Sequence, residues 1–306
     1  MKQQGILLGA GTNEMELLTV WIYDQLFGIN VAKVQSVQAY DRKLVTPMPE
    51  NPPGVMGMML YRERTIPILD LELLLDMAKK GDKKNDREIV VVTEFNNTVN
   101  AFKAHGVNRI LRFSWAEFSP INRFIGSDSY VTGSVQADEH EIMVLDLEQV
   151  LATVFPGMVL ESVSEETMQR KEKISRNQLN ILFAEDSFTI RKGVIKVLKQ
   201  AGFEEITSFE NGQDACDYCM KHADDFADTS IPTVVISDIE MPKMDGLTLC
   251  RKLKQDPVLK DLYVIIFSSL INTQMIQKCQ QVSADRYVTK PETNALIEIL
   301  DEFCSN

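Results

Sequence analysis

Hydrophobic positions in the first half of this chain come in short runs of strand length, broken by polar or turn-forming residues. The runs are Leu17 to Tyr23, Gly28 to Lys33, Val55 to Tyr61, Thr65 to Leu69, Ile89 to Phe95, Val99 to Val107, Tyr130 to Gln136 and Ile142 to Asp146. Asp24-Gln25, Asn96-Asn97 and Ala137 to Glu141 are connections of hairpin size, so antiparallel neighbours are expected. Pro47, Pro49, Pro52 and Pro53 crowd one segment, where missing amide donors and a fixed φ favour a loop. Leu147 to Phe155 has the pattern of a closing helix. This half predicts a mainly β unit.

After Asn180 the pattern changes. Short apolar runs (Leu179 to Ala184, Thr233 to Ser237, Tyr263 to Phe267, Arg286 to Thr289) alternate with amphipathic stretches at Phe188 to Gln200, Gln213 to Met220, Leu247 to Lys254, Asn272 to Gln281 and Asn294 to Cys304. Such alternation predicts a five-stranded parallel sheet with helices on both faces, a doubly wound (βα)5 α/β fold. Between the halves, Glu161 to Asn177 is almost wholly polar and reads as a linker, with Glu165 to Lys173 rich in helix formers. The expected domains are therefore 14–160, a linker at 161–177, and 178–306. The acidic stretch Asp224-Asp225 with Asp228 reads as a solvated loop.

Composition narrows the setting. At 306 residues and 44% hydrophobic content the chain can bury real cores. A formal charge of -12 opposes a phosphate backbone, so nucleic acid is not an expected partner. No apolar stretch approaches a membrane span of about 20 residues and no secretory signal opens the chain, so a cytoplasmic protein without membrane insertion is expected. The five cysteines (Cys216, Cys219, Cys250, Cys279 and Cys304) form no disulfide framework, and the CxxC at Cys216 and Cys219 falls in a predicted helix. They read as thiols rather than as a zinc site.

The candidate chemistry lies at the strand ends of the second half. Glu185-Asp186, Asp238, Ser268 and Lys290 each follow or close an apolar run, and open parallel sheets bind ligands outside their carboxyl edges. Three gathered carboxylates call for a hard cation such as Mg²⁺, which also holds a phosphoryl group against a carboxylate. Lys290 and the Ser268 hydroxyl would neutralise the incoming charge, leaving Asp238 as nucleophile. Neither an ATP-cradling glycine loop nor a kinase signature is present, so the phosphoryl donor is another molecule. Asp245 is placed to cap the helix after Asp238.

On these residues the second half resembles a response-regulator receiver domain. The resemblance implies that Glu185, Asp186 and Asp238 hold Mg²⁺, that Asp238 is the phosphoacceptor, and that Ser268 and Lys290 bind the phosphoryl group. It also implies a cis Lys290-Pro291 peptide and a switch made by Ser268 and Tyr287, the latter equally readable as a half-buried strand tyrosine. Glu240 and Leu270 stand at family positions that border the phosphate.

In the first half, the hairpin run Gly57 to Leu71 is similar to the signature of CheW-like chemotaxis adaptors, which implies two SH3-like barrels and no catalytic site. Arg62 matches the motif's arginine on the coupling surface. Glu63 stands where glycine is usual, so the bend must use another turn or accept a side chain. By alternation Met58, Leu60, Ile66 and Ile68 are expected in the core and Met59 on the contact face.

The order of the two halves resembles CheV-type coupling proteins. That implies an adaptor, not an enzyme, which links methyl-accepting chemoreceptors to the histidine kinase CheA at receptor arrays under control of Asp238 phosphorylation. Two other readings stand beside it. One is a phosphate sink for the kinase. The other is an aspartyl-nucleophile phosphohydrolase, which would want a second Asp two residues after the first, where Glu240 stands.

Overall fold

The computed structural model describes residues 11–77, 87–121, 130–155, 163–164, 167, 176–227 and 232–304. The chain divides into two compact units, Met15–Val159 and a second made of Met1–Glu14 with Leu160–Asn306.

The first unit is mainly β. Its strands are β1 (Glu14–Ile22), β2 (Gln25–Asn30), β3 (Val34–Ala39), β4 (Val45–Thr46), β5 (Val55–Tyr61), β6 (Arg64–Asp70), β7 (Ile89–Phe95), β8 (Thr98–Ala104), β9 (Gly106–Ser114), β10 (Ser119–Pro120), β11 (Val131–Ala137) and β12 (His140–Leu145). Helix α1 (Leu71–Leu74) follows β6 and α2 (Leu147–Val154) closes the unit. The strands form two six-stranded sheets, ordered β10-β11-β12-β2-β1-β9 and β3-β7-β8-β6-β5-β4.

Several strands bury both faces. Leu17 joins a core with Trp115, Phe118 and Val135, whereas its neighbour Leu18 joins a second core with Phe27, Phe102 and the α2 residues Val150 and Leu151. Val91 likewise faces that shared core, and Val90 and Val92 face a third with Ile66 and Ile68. Each sheet thus surrounds a small core of its own and meets the other across a common one. This explains why β1 and β7 read as almost unbroken apolar runs.

The structure corrects some strand limits. Val99 to Val107 is two strands, β8 and β9, divided at His105, whose amide donates to the carbonyl of Trp21. Gly28 to Lys33 is also divided: β2 stops at Asn30, whose side chain caps a single 3₁₀ turn. The short or polar strands β3, β4, β9 and β10 had no apolar run to announce them.

His105 is a staple between the sheets. Its Nδ1 accepts from the Tyr23 amide at 2.8 Å, so Nε2 carries the proton and donates to Glu72 at 2.9 Å. The Tyr23 hydroxyl donates to the same carboxylate. Burial pushes the Glu72 carboxyl up, but the bonds from Tyr23 and His105 outweigh it and hold the pKa below its ordinary 4.5.

The β5–β6 hairpin reverses the expected methionine faces. Arg62 and Glu63 both take positive φ, 43° and 67°, the geometry of a two-residue type I′ turn built without glycine. This turn pairs Met59 with Ile66 and Leu60 with Thr65. Directly paired residues share a face, so Met59 and Tyr61 are buried with Ile66 and Ile68, while Leu60 is 71% exposed and Met58 only half-buried.

The second unit is α/β. Strands β13 (Asn180–Ala184), β14 (Ile206–Phe209), β15 (Thr233–Ser237), β16 (Tyr263–Ser268) and β17 (Arg286–Thr289) form one parallel sheet in the order β14-β13-β15-β16-β17. The connecting helices are α3 (Phe188–Ala201), α4 (Gly212–Lys221), α5 (Ala223–Ala227), α6 (Gly246–Gln255), α7 (Thr273–Gln281) and α8 (Thr293–Cys304). Asp224 and Asp225, expected in a solvated loop, begin the short helix α5, where acidic side chains favour a helix N-terminus. Asp228 lies outside the described residues.

The described residues of the polar stretch before β13 are fastened to this unit. Arg176 is 2% exposed and its guanidinium makes two 2.6 Å bonds to Asp301 of α8, with a third to the carbonyl of Ala201. Ser164 and Thr167 bind Asn294. In a stretch too polar to bury an apolar face, Arg176 is held instead by buried polar bonds. The helix expected over Glu165 to Lys173 lies outside the described residues apart from Thr167.

Candidate functional site

The site sits where β13, β15, β16 and β17 end. Parallel pairing brings these ends together: the Asp238 amide donates to Ala184 and the Lys290 amide to Ser268, which extends the ladder one residue past each strand. Glu185 and Asp186 therefore leave β13 beside Asp238. Ligand oxygens of Glu185, Asp186 and Asp238 all lie within 4.8 Å of one another. The Lys290 ammonium stands 2.7 Å from Glu185 Oε2 and 3.0 Å from Asp238 Oδ2, and the Lys290–Pro291 peptide is cis.

Glu185, Asp238 and Lys290 are buried and Asp186 is half-buried. Three carboxylates facing one ammonium leave the pocket with a formal charge of -2, set among hard oxygen donors. That donor set fits a small divalent cation completed by water.

Neighbouring groups fix the acids. The Ile239 amide donates to Asp238 Oδ1 at 2.6 Å, which leaves Oδ2 toward Lys290. The Ser187 amide donates to Glu185 Oε1 at 3.1 Å, and the Ser187 side chain caps α3. Buried Arg191 donates to the backbone carbonyls of Glu185 at 2.6 Å and Asp186 at 3.1 Å, and pairs with Glu210. Arg191 escaped the sequence reading because a cation on an amphipathic helix ordinarily marks its solvated face.

The loop after Asp238 is held as tightly. Asp245 caps α6 through the Thr248 amide and hydroxyl, and burial pushes its carboxyl above the ordinary range despite those bonds. A side chain at Gly246 would place its first carbon 1.8 Å from the Asp238 carbonyl oxygen, so only glycine allows α6 to start this close.

The remaining predicted residues are near the same edge with other surroundings. Ser268 closes β16, fully buried, and its hydroxyl accepts from the Leu270 amide at 3.4 Å. Tyr287 is exposed on the edge strand β17. Leu270 is buried and Glu240 half-buried. Arg62 belongs to the other unit, where it is exposed at the hairpin turn with its guanidinium 5.1 Å from the Tyr61 ring centroid. All five cysteines are free, and burial pushes the Cys219, Cys250 and Cys279 thiols up to about 12, well away from thiolate chemistry at neutral pH.

Comparison with known proteins agrees with both halves. Residues 16–155 match the CheW-like domain family and residues 181–301 match the response regulator receiver domain family. Over 294 residues the chain is 30% identical to chemotaxis protein CheV3 of Helicobacter pylori, covering 92% of this chain and 90% of the relative. This chain belongs to the CheV family. Chemotaxis protein CheV2 of the same organism is 29% identical over 292 residues, with 92% and 90% of the two chains covered. The CheW half alone is 26% identical over 148 residues to chemotaxis protein CheW of Klebsiella aerogenes, which covers 48% of this chain and 87% of that one. A CheV chain is thus a chemotaxis adaptor fused to a receiver, and no described helix is long and apolar enough to cross a membrane.

Proposed function

We propose that this CheV-family chain couples chemoreceptors to the histidine kinase CheA at receptor arrays, and that phosphorylation of Asp238 tunes the coupling. The observation that carries the reading is the ammonium of Lys290 set between Glu185 and Asp238, at the sheet edge of a chain whose other half is a CheW-like adaptor. Arg62, exposed at the hairpin turn, is the proposed adaptor contact.

Glu185, Asp186 and Asp238 would hold Mg²⁺, which when bound neutralises charge on the phosphoryl oxygens. Asp238 Oδ2 attacks phosphorus, the bond from phosphorus to the donor's leaving group breaks, and that group departs with the electron pair. Lys290, already within hydrogen-bond reach of Oδ2, then faces a phosphoryl oxygen in place of a carboxylate. The Ser268 hydroxyl is the second proposed phosphate ligand, and Ser268 with Tyr287 the proposed switch. The effect on the adaptor is linkage: the phosphoryl group favours one receiver conformation, and that conformation changes the affinity of the coupling surface.

The test is intact mass after incubation with a small phosphodonor and Mg²⁺. One phosphoryl group per chain is expected, absent in Asp238→Asn. Steady turnover of the donor dependent on Asp238 would favour a phosphohydrolase. Unchanged affinity for CheA and receptors upon phosphorylation would favour a phosphate sink and overturn the tuning.

A further inference from the structure

The residues that lead into the adaptor's first strand are seated on the loop that follows the phosphoacceptor. Asn13 Nδ2 donates to the carbonyl of Lys243 at 2.9 Å, and Asn13 Oδ1 accepts from the amide of Asp245 at 3.0 Å. One side-chain amide thereby bridges two backbone groups of the loop between Asp238 and α6. Gly11 lies against the first turns of α6, where an added side chain would meet Arg251 and the Leu247 carbonyl at 3.2 and 3.3 Å. Gly11, Asn13 and Lys243 all have positive φ, at 70°, 60° and 64°, values that glycine and asparagine tolerate best. Residues 11–14 group with the α/β unit, while Met15, two residues after Asn13, is already in an adaptor core.

We propose that the Lys243–Asp245 edge is an intramolecular docking site for residues 11–13, and that phosphorylation of Asp238 releases them. The proposal rests on the phosphoacceptor reading above. Ile239, the first loop residue, is tied to Asp238 Oδ1 by a 2.6 Å charge-assisted bond. When Oδ2 becomes the ester oxygen of an acyl phosphate, Oδ1 becomes a neutral carbonyl and that bond weakens, while Lys290 turns from the carboxylate to the phosphoryl group. Asp245 has no slack to absorb the loop's movement: its side chain is committed to Thr248, and Gly246 is pressed on the Asp238 backbone while donating to the Ile239 carbonyl. The Asn13 bridge needs the Lys243 carbonyl and the Asp245 amide at one fixed separation, so a shift of either loosens both bonds. Because no spacer separates Asn13 from β1, release reaches the adaptor's first strand directly.

The experiment is hydrogen exchange resolved to single amides on the full chain, without and with Mg²⁺ plus beryllofluoride as phosphoryl mimic, with native mass reporting the adduct. In the unmodified protein, Asn13→Ala is expected to speed exchange of the Asp245 amide roughly fivefold to tenfold, the loss of one bond. In the wild type the mimic should speed exchange in both the 239–247 loop and the start of β1. In Asn13→Ala, β1 should start fast and not respond further. An adduct that forms while β1 exchange stays unchanged would overturn the docking inference alone, as would an Asn13→Ala variant with wild-type Asp245 exchange. Failure of the adduct to form at Asp238 would overturn the phosphoacceptor reading, and this inference with it.

Discussion

Replacing Asp238 with Asn tests whether the acidic cluster is held together against its own repulsion. At an effective dielectric of about 20, like charges 4.8 Å apart, the widest spacing in the cluster, repel by about 3.5 kcal/mol. Asp238 takes part in two such pairs, so its charge costs at least about 7 kcal/mol. Its attraction to Lys290 at 3.0 Å returns about 5.5 kcal/mol on the same scale. Asparagine removes both charge terms and keeps an acceptor for the Ile239 amide, but its Nδ2 then faces the Lys290 ammonium, donor to donor, which offsets part of the gain. Asp238→Asn should therefore stabilise the metal-free α/β unit by up to about 1.5 kcal/mol, a rise of at most roughly 3–6 °C in its melting transition. Mg²⁺ should narrow or reverse that difference: at a hundredfold excess over its Kd it adds about 2.7 kcal/mol to the wild type and less to the variant, which has lost a ligand. Differential scanning calorimetry of the full chain with and without Mg²⁺ reads both effects. A variant that melts below the wild type without metal, or an equal Mg²⁺ shift in the two, would refute the reasoning.

Gly246→Ala should cost about 1–3 kcal/mol by overpacking, since its methyl meets the Asp238 carbonyl and pushes α6 back; urea unfolding together with the rate of phosphorylation by a small donor would show both the loss and the displaced nucleophile. Arg176→Met should cost about 3–5 kcal/mol because Asp301 is left buried without its partner, and Asp301→Leu added to it should recover most of that loss. For the Tyr23–Glu72–His105 staple the folded pKa of Glu72 lies below 4.5, so its contribution is present above that pH and is lost as pH falls through the folded value. Glu72→Gln should flatten that part of the acid-unfolding curve, and an unchanged curve would argue against the staple.

The sequence alone carried the longer strands and helices of both units and the five strand-end residues of the candidate site. Runs of one period set strand or helix locally, and in a parallel doubly wound sheet every strand ends on the same edge. Glu185, Asp186, Asp238, Ser268 and Lys290 could thus be gathered there before any distance was known. Tertiary structure decided what local pattern leaves degenerate. Met58 and Met59 are equally apolar neighbours, and only the register imposed by the Arg62–Glu63 turn chose which one is buried. The polar strand β9 is defined by its partner strand rather than by its own hydrophobicity. Asn13, Arg176 and Arg191 are ordinary polar residues in sequence. Their roles come from partners that folding brings beside them, up to 232 positions away for Asn13, and no period or propensity encodes a contact across that distance.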